Sequence, residues 1–442
     1  MNNRLLSLIT AMVLALSTCA ANHLATEASG IRVETDRTWY LAGEAMKVRV
    51  TADDAIIAYA ELCDVSGLAA GVVVSLKGGK GTGILELPAN LHSGYYLLSV
   101  YTRHNAQVFQ QHVAVVNALH KSYDDDIEWV PTPDPSRGEG SQDTPIIASS
   151  NQSPLLSGGD GGGLIPETEG HIIKALVRNV YDGQTFKDSQ IRPSLSIVGK
   201  QIHYFEGQMV NDSIAVFYTF GIHGKRPLVL SARTTSGVSL PIEMISPFAT
   251  LLPKELPHLV FHYQRSEVEA RSLDMQRHQM AIAPAKRELK MGDLSDDTAE
   301  DGVPLDYDEK VFGIKPDLSY NLDEYRQFFT VREVLLEYVS CVSNRKINGE
   351  SQLIVRKEQD VFNSSLPTLV LIDGMPVFDV ERLLSYDARR IHYINIYADQ
   401  YTFGHDIYNG ILSFVTRSGR LTNYPIERNM QYLVYDFPEW RK

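Results

Sequence analysis

The sequence predicts a multidomain, mostly β protein in which two immunoglobulin-like β-sandwich domains precede a small α+β domain. Three observations predict this fold class. Apolar and polar residues alternate in many short runs, which is the period of a half-buried strand. Glycine, proline, asparagine or aspartate bounds most of these runs. Toward the C-terminus, a continuous apolar run and a helical apolar stripe occur together, which indicates a sheet with a helix packed on it.

Length and composition limit the number of domains and the kinds of partner that the chain can have. A chain of 442 residues has room for two to four domains. Its hydrophobic content of 44% and mean hydropathy of -0.15 are ordinary for globular proteins. The formal net charge of -13 argues against nucleic acid as a partner and against a basic patch that binds anionic lipid.

The N-terminus predicts export. Arg4 precedes the apolar run Leu5–Leu16, which is too short to span a bilayer and long enough for a signal-peptide core. We assign 1–18 to a signal peptide and 19–30 to a tether. The stretch LSTC resembles the lipobox of bacterial lipoproteins, which implies lipidation at Cys19 and a lipid anchor in the outer membrane, on a face that the sequence leaves open. Ordinary signal-peptidase cleavage is the alternative, because Thr18 stands where glycine or alanine is usual.

Residues 31–117 are predicted to form the first sandwich, because about seven short strands fall within one hundred residues. Alternation at Met46, Val48 and Val50 is typical of a strand with one buried face. The phrase VETDRTWYLAGEAMKVRV resembles the macroglobulin-type domains of the α2-macroglobulin superfamily. Covalent protease trapping is not expected, because Glu358-Gln359 lacks the cysteine that a thioester motif needs before it.

Residues 118–170 are predicted to be a flexible linker. This stretch holds the acidic run Asp124–Asp126, three closely spaced prolines and the glycine-rich Ser157–Gly163. Such a composition buries too little apolar surface to offset the entropy of ordering the chain.

Residues 171–252 are predicted to form the second sandwich, which resembles the carboxypeptidase regulatory-like Greek-key modules through runs such as SLSIVG and FYTFG. Residues 253–318 are predicted to be an extended or mixed connector. His258 and His262 in this connector have the spacing of a zinc pair on a helix, but they fit a strand equally well and no glutamate lies between them, so no metal site is predicted.

Residues 319–442 are predicted to form the small α+β domain. Thr368–Ile372 has the all-apolar character of a strand buried on both faces, and Asp373-Gly374 predicts a tight turn after it. Asp379 is predicted to cap a short helix. An earlier helix should begin at Asn321 or Thr330. Its predicted apolar stripe comprises Phe328, Phe329, Val331, Val334, Leu335, Tyr338 and Val339. Further strands are predicted at Ser351–Arg356, Ile391–Tyr397, Gly410–Thr416 and, as a final edge strand, within 423–442.

Two motifs in this domain carry a second resemblance. IDGMPV and NGILSFVTRSG, with RRIHYINIY between them, resemble the plug domain of TonB-dependent outer-membrane receptors, above all the starch-utilisation-type transporters of Bacteroidetes. The resemblance implies a plug-like fold. We expect no barrel to follow, because only a short tail remains after Gly419.

The sequence offers no recognisable enzyme. No G-x-S-x-G elbow, no acid–base pair at a defined spacing and no metal motif occurs, so no catalytic residue, cofactor or metal is predicted. Apart from Cys19, the cysteines are Cys63 and Cys341, in apolar surroundings that favour buried free thiols.

The favoured hypothesis is a non-enzymatic cell-envelope lipoprotein, the binding or scaffold component of an outer-membrane assembly for TonB-dependent transport, export or outer-membrane biogenesis. Its expected partners are outer-membrane proteins or other envelope lipoproteins, not nucleic acid. An aromatic loop at 397–408 supplies the candidate contacts. These are Tyr397, Tyr401, Phe403, His405 and Tyr408. Packing of the tyrosines in the core of their own domain is the alternative interpretation.

Two other functions stay open. A carbohydrate- or peptide-capturing lipoprotein that feeds a transporter would use exposed aromatic residues of the first sandwich, unless these residues belong to its core. They are Trp39, Tyr40, Tyr95 and Tyr96. A macroglobulin-like protease inhibitor would be cleaved within Ser136–Gly163.

Overall fold

The structure is a computed structural model. It describes residues 30–282, except 54, 104–107, 122, 124, 131–166, 168–169 and 200–202, and residues 313–438, except 348, 357–365, 404–405 and 422. Cys19, the signal peptide, the tether and the segment Ser136–Gly163 lie outside the described residues. Among the described residues, no helix combines the length and apolar character that crossing a bilayer requires.

The chain divides into two compact units, and each unit takes two separate stretches of sequence. The first unit combines Met1–Thr168 with Phe248–Ala281. The second unit combines Glu169–Pro247 with Ile282–Lys442.

Strands make up most of the described residues, as the sequence predicts. The strands of the first stretch are β1 Ile31–Thr35, β2 Trp39–Leu41, β3 Ala45–Ala52, β4 Ile57–Cys63, β5 Leu68–Ser75, β6 Lys80–Glu86, β7 Gly94–Tyr101, β8 Val108–Val116 and β9 Ile127–Trp129. The next are β10 His171–Val177, β11 Val180–Tyr181, β12 Gln184–Thr185, β13 Ile191–Ile197, β14 His203–Glu206, β15 Gln208–Met209, β16 Ile214–Thr219, β17 Gly224–Thr234, β18 Ser239–Leu240, β19 Ile242–Met244 and β20 Leu259–Phe261. The last are β21 Leu318–Asn321, β22 Val342–Ile347, β23 Glu350–Val355, β24 Leu369–Ile372, β25 Met375–Pro376, β26 Ile391–Phe403, β27 Asp406–Thr416 and β28 Gln431–Phe437. The α-helices are α1 Arg265–Ile282, α2 Val331–Tyr338 and α3 Val380–Leu384.

The first unit contains a β-sandwich, in agreement with the fold class predicted for 31–117. One sheet has the order β1-β3-β6 and the other the order β2-β8-β7-β4-β5. The alternation at Met46, Val48 and Val50 places these side chains between the sheets, where they belong to the same buried cluster as Leu98 and Val100. Only β2 pairs in parallel, with β8; the other pairs of this sandwich are antiparallel.

A second layer covers one end of this sandwich. β9 pairs in parallel with β20, and α1 follows directly. Tyr123, Ile127, Phe261 and Val268 are buried there in one cluster. The prediction of a linker is therefore wrong for the described residues of 118–130, because Tyr123 and Ile127, on either side of the acidic residues, are buried against the sandwich. The predicted connector likewise contributes β20 and α1 to the first unit, and 248–252 packs with this unit rather than with the second sandwich.

Glu61 joins the returning segment to the sandwich. Its fully buried carboxylate accepts hydrogen bonds from the backbone N–H groups of Thr250 and Leu251 and from the Tyr101 hydroxyl, at 3.0, 2.5 and 3.4 Å. The aromatic ring of Phe248 occupies the space above Gly71, where an added Cβ would lie 2.6 Å from the ring. A side chain at position 71 would therefore displace this segment.

The second unit begins with another β-sandwich, as predicted for 171–252. Its sheets have the orders β15-β16-β10-β19 and β14-β13-β17-β18. β28 pairs with β17 on the second of these sheets, antiparallel from Gly224↔Phe437 to Leu230↔Gln431. Tyr435 and Phe437 enter the core of the sandwich, and the Tyr435 hydroxyl lies 2.8 Å from Nε2 of the buried His171. The prediction that the tail adds an edge strand to the α+β domain is therefore wrong, because β28 completes a sheet formed much earlier in the chain.

The second unit also contains a five-stranded sheet with the order β21-β26-β27-β24-β25. β24 is fully buried and runs parallel to β27, as its all-apolar sequence indicates. Helices α2 and α3 pack on this sheet through one large buried cluster that includes Val334, Leu335, Leu383 and Leu384. β23, which the sequence predicts at Ser351–Arg356 as a strand of this domain, instead forms a separate hairpin with β22, a strand that the sequence does not predict. The arrangement is α+β, and whether it is a plug fold stays a prediction.

The tight turn that the sequence predicts at Asp373-Gly374 is present in this sheet. Both residues have positive φ, 46° and 85°, and they connect β24 to β25. The buried Asp373 carboxylate accepts from the Thr416 N–H and hydroxyl and from the Leu421 N–H, at 2.7, 2.5 and 2.7 Å. The turn therefore also fixes the end of β27 and the segment after it.

Candidate functional site

Of the predicted contact residues, three have described side chains, and of these Tyr397 is buried and two are half-buried. Instead of a loop at 397–408, the chain continues β26 and β27 into one long antiparallel hairpin with register shifts near Ile391 and Tyr397. Tyr397 is fully buried, and Tyr401 and Tyr408 are half-buried against the cluster of Leu369, Leu371, Tyr397 and Ile411. The prediction of a contact is wrong for Tyr397, and the alternative of core packing fits it. His405 and the side chain of Phe403 lie outside the described residues.

Local electrostatics agree with an interior position for this cluster. Burial raises the pKa of Tyr204 to about 12 and also raises the pKa of Tyr408, with nearby Asp406 and Glu206 acting in the same direction. These hydroxyls stay protonated in such surroundings. They present little surface to a partner.

A different surface of the second unit exposes aromatic and arginine side chains. It surrounds a shallow cleft in front of α2, whose walls include Phe328 and Tyr338. Phe329 has 71% of its surface exposed and Tyr325 has 36%. We call the exposed side chains around this cleft the aromatic–arginine face. Its members are Tyr325, Arg326, Phe329, Arg389 and Arg417.

The backbone beneath this face is held firmly. Thr330 caps α2 in a complete capping box with Glu333, as one of the two predicted starts requires. The Glu333 carboxylate also accepts from the Phe329 N–H at 3.0 Å, and the Phe329 carbonyl accepts from the Ala388 N–H at 3.1 Å. Asn321, the other predicted start, caps a 3-10 turn instead. Phe329 is therefore an exposed side chain on a fixed backbone.

The sequence prediction placed Phe329 on the buried stripe of the helix, which is wrong. Val331, Val334, Leu335 and Val339 are buried as predicted. Phe329 lies in a bend before the N-cap Thr330, so the helical period does not extend to it. The signal in the sequence was the capping box at Thr330 and Glu333, which places Phe329 outside the helix.

Two arginines of the face, Arg389 and Arg417, form ion pairs with aspartates that orient their guanidinium groups. Arg389 binds Asp387 at 2.8 Å and lies 5.3 Å from the centre of the Phe329 ring. Arg417 binds Asp323 at 2.6 Å, and His392 binds the same carboxylate at 3.2 Å. The hydrogen bond from Arg389 lowers the pKa of Asp387, and the one from Arg417 lowers the pKa of Asp323. The guanidinium groups are thus held in place beside exposed rings.

This face has the composition of a protein-binding site. Aromatic residues and arginine dominate the energetically important positions of protein interfaces. The tilted rings of Tyr325, Phe328 and Tyr338 pack as a cluster with centroid distances of 4.7 Å and 5.5 Å between neighbours. The cluster supplies a rigid apolar anchor, and the arginines supply hydrogen-bond donors at its rim.

The remaining predicted sites are placed as follows. Tyr40 and Tyr96 are buried and Trp39 and Tyr95 half-buried, so the interpretation of these aromatics as core residues fits. His258 and His262 are exposed and flank β20, in agreement with the strand alternative.

Cys63 and Cys341 are free thiols, Cys63 buried and Cys341 half-buried. Burial, with Glu61 and Asp64 nearby, raises the pKa of Cys63 to about 12. This thiol is therefore kept protonated and unreactive at neutral pH.

Comparison with known proteins gives only structural matches. No family model matches the sequence, and no curated protein matches it. The native conformation of Escherichia coli α2-macroglobulin matches over 50% of this chain and 14% of its own, with 12% identity and a TM-score of 0.18. The elastase-activated form matches over 48% and 19%, again with 12% identity and a TM-score of 0.18. Salmonella α2-macroglobulin reacted with methylamine matches over 49% and 14%, with 11% identity and a TM-score of 0.19.

The chain thus spans between 14% and 19% of the length of these macroglobulins. TM-scores this low do not assign a family to the chain.

Proposed function

We propose that this protein is a non-enzymatic binding or scaffold component of an outer-membrane assembly and that the aromatic–arginine face takes its protein partner. The exposed Phe329 ring on a fixed backbone beside Arg389 carries the proposal. Burying such a ring removes a large apolar area from water, and the ordered backbone keeps the entropic cost of binding low.

The partner is expected to be an outer-membrane protein or another envelope lipoprotein with an apolar pocket and acidic groups at its rim. The acidic groups follow from the arginines, since each guanidinium has five N–H donors and the bonds to Asp387 and Asp323 use only part of them. Lipidation at Cys19 would hold the chain at the membrane where this partner resides.

The test compares two single substitutions in the full-length chain. Phe329→Ala removes the exposed ring, and Ile84→Ala removes an exposed apolar side chain of the first unit that is 57% exposed. Both proteins are purified from membranes in mild detergent, and the co-purified protein is identified and quantified by mass spectrometry. We expect one stoichiometric partner with the unchanged protein and with Ile84→Ala, and at least about a tenfold loss with Phe329→Ala. Equal recovery with both variants, or recovery of the protein alone, contradicts the proposal.

The lipid anchor is tested separately. A labelled fatty acid should be incorporated into the unchanged protein and not into Cys19→Ser, which should also leave the membrane fraction. Labelling that survives Cys19→Ser would rule out the proposed anchor without bearing on the aromatic–arginine face.

A macroglobulin-like protease inhibitor is the alternative, and it rests on the resemblance of Val33–Val50 and on the long segment between the two sandwiches. It predicts that cleavage within Ser136–Gly163 slows a protease toward a large substrate while sparing a small one. Simple cleavage, with the activity toward both substrates unchanged, excludes it.

A further inference from the structure

Two loops and a turn bring two histidines and an aspartate together at one edge of the first sandwich. β7 and β8 are antiparallel neighbours, with Gly94 opposite Val115, so the residues before β7 meet those after β8. His92 lies in the loop before β7, His120 in the turn after β8, and Asp126 directly before β9. One ligand atom from each of these three residues lies within 4.8 Å of the other two.

The backbone around these residues is tied in place. The Asn117 side chain donates to the carbonyls of Ala89 and Leu91 at 3.0 and 2.7 Å, which joins the two loops. The Asn117 N–H donates to the Ser93 hydroxyl at 3.0 Å. The Tyr96 hydroxyl donates to the carbonyl of His92 at 3.1 Å.

The third ligand is held by buried neighbours. Tyr123 and Ile127, on either side of Asp126, are both buried in the layer that covers this end of the sandwich. The Tyr123 N–H also donates to the His120 carbonyl at 3.1 Å. The fold therefore sets the backbone positions of all three candidate ligands.

The chemistry of the cluster favours a transition-metal ion. Two imidazole nitrogens and one carboxylate oxygen suit zinc, whereas calcium and magnesium prefer oxygen ligands alone. The two imidazole rings lie 4.4 Å apart between centroids, with planes at 76°. Ligand atoms around a tetrahedral zinc ion lie about 3.4 Å apart, so the three ligand atoms must move slightly closer together to bind the ion.

The local charge also favours a cation. Asp126 supplies one carboxylate to the three candidate ligand atoms. We propose that His92, His120 and Asp126 form a zinc site with one coordination position left for water or for a ligand from a partner. This proposal is independent of the aromatic–arginine face, which lies in the other unit.

The test is a Zn²⁺ titration of the full-length chain without an affinity tag, followed by isothermal calorimetry at pH 7.5. We expect one equivalent of zinc to bind, and His92→Ala, His120→Ala and Asp126→Asn each to weaken binding by at least about tenfold. His258→Ala is the matched control, since this histidine is exposed on the same unit and should leave the affinity unchanged. Binding should also weaken from pH 7.5 to 5.5, because protons compete for the imidazoles.

Folding and coordination are checked independently. Unfolding curves recorded without metal should coincide for all four variants and the unchanged protein. Co²⁺ should give the visible absorption bands of a tetrahedral complex in the unchanged protein and in His258→Ala only. The proposal is overturned if zinc does not bind at millimolar concentration, or if one equivalent binds equally well to the three ligand variants.

Discussion

His112 and Glu61 are both buried ionisable residues of the first sandwich, but they differ in the hydrogen bonds that their side chains make. The Glu61 carboxylate accepts three hydrogen bonds, and burial still raises its pKa against their effect. Within the described part of the chain, neither ring nitrogen of His112 has a hydrogen-bond partner, and burial lowers its pKa. Glu61 thus holds the segment around Thr250 and Leu251 in place, whereas His112 tolerates burial only as the neutral imidazole.

His112 should make the first unit sensitive to acid. Its lowered pKa in the folded state means that the unfolded chain binds a proton first, so its contribution is fully present above about pH 6.5 and is lost as the pH falls further. Replacing it by leucine should reduce the loss of unfolding free energy between pH 7.5 and 5.5 by on the order of 1 kcal/mol. Urea unfolding followed by tryptophan fluorescence measures this. An equal loss in His112→Leu and in the unchanged protein would contradict the assignment, and the exposed His258→Leu is the control.

Glu61→Ala should destabilise the first unit by about 2–4 kcal/mol at pH 7, because two buried backbone N–H groups lose their acceptor. The same unfolding measurement applies. Glu86→Ala, at an exposed position of β6, should change the free energy by less than about 0.5 kcal/mol. If the two variants were equally stable, the anchoring role of Glu61 would be disproved.

Local signals in the sequence predicted individual elements well. The apolar run at Thr368–Ile372 gave the buried strand β24, and Asp379 and Thr330 cap α3 and α2 as expected. Caps, tight turns and alternation depend on neighbouring residues, which a single sequence displays directly.

The cap of α2 can be tested on its own. Thr330→Ala should cost about 1 kcal/mol of the stability of the second unit, because the Glu333 N–H loses its acceptor and the capping box opens. Thr330→Ser keeps the hydroxyl and should stay within about 0.5 kcal/mol of the unchanged protein. Circular dichroism during urea unfolding compares the three. A Thr330→Ser variant as unstable as Thr330→Ala would show that the methyl group matters instead of the cap.

Pairing between distant elements was not predictable in the same way. The alternating tail of the sequence indicates a strand but does not say which edge it joins, and β28 joins β17. The hairpin of β26 and β27 continues through aromatic residues because Tyr204 and the cluster around Leu369 cover them. The zinc candidates share no motif spacing, and only the pairing of β7 with β8 brings His92 and His120 together.

In the whole molecule, the chain passes three times between the two units, after residues 168, 247 and 281, so no single cut separates them. The sequence predicts consecutive domains and does not show these crossings, because they depend on long-range packing. Residues 248–281 pack on the first unit, and β28 pairs with β17. Removing 430–442 should lower the unfolding free energy of the second unit by more than about 3 kcal/mol, since Tyr435 and Phe437 leave its core.

This truncation has a built-in control. The tryptophans that remain, Trp39 and Trp129, both belong to the first unit, so the fluorescence midpoint should not move while circular dichroism shows earlier unfolding. Removing only 439–442 keeps β28 and should leave both signals unchanged. Coincident curves for the longer truncation and the unchanged protein would contradict the assigned role of β28.

The pairing of β17 with β28 also has a consequence for biogenesis. If the chain is exported as we propose, it is secreted from its N-terminus, so the second sandwich keeps an open sheet edge on β17 until β28 has followed. The first unit likewise lacks 248–281 until that segment has followed. An open sheet edge pairs readily with other chains, so on this proposal we expect a holdase chaperone to be needed during secretion for as long as these two segments are missing.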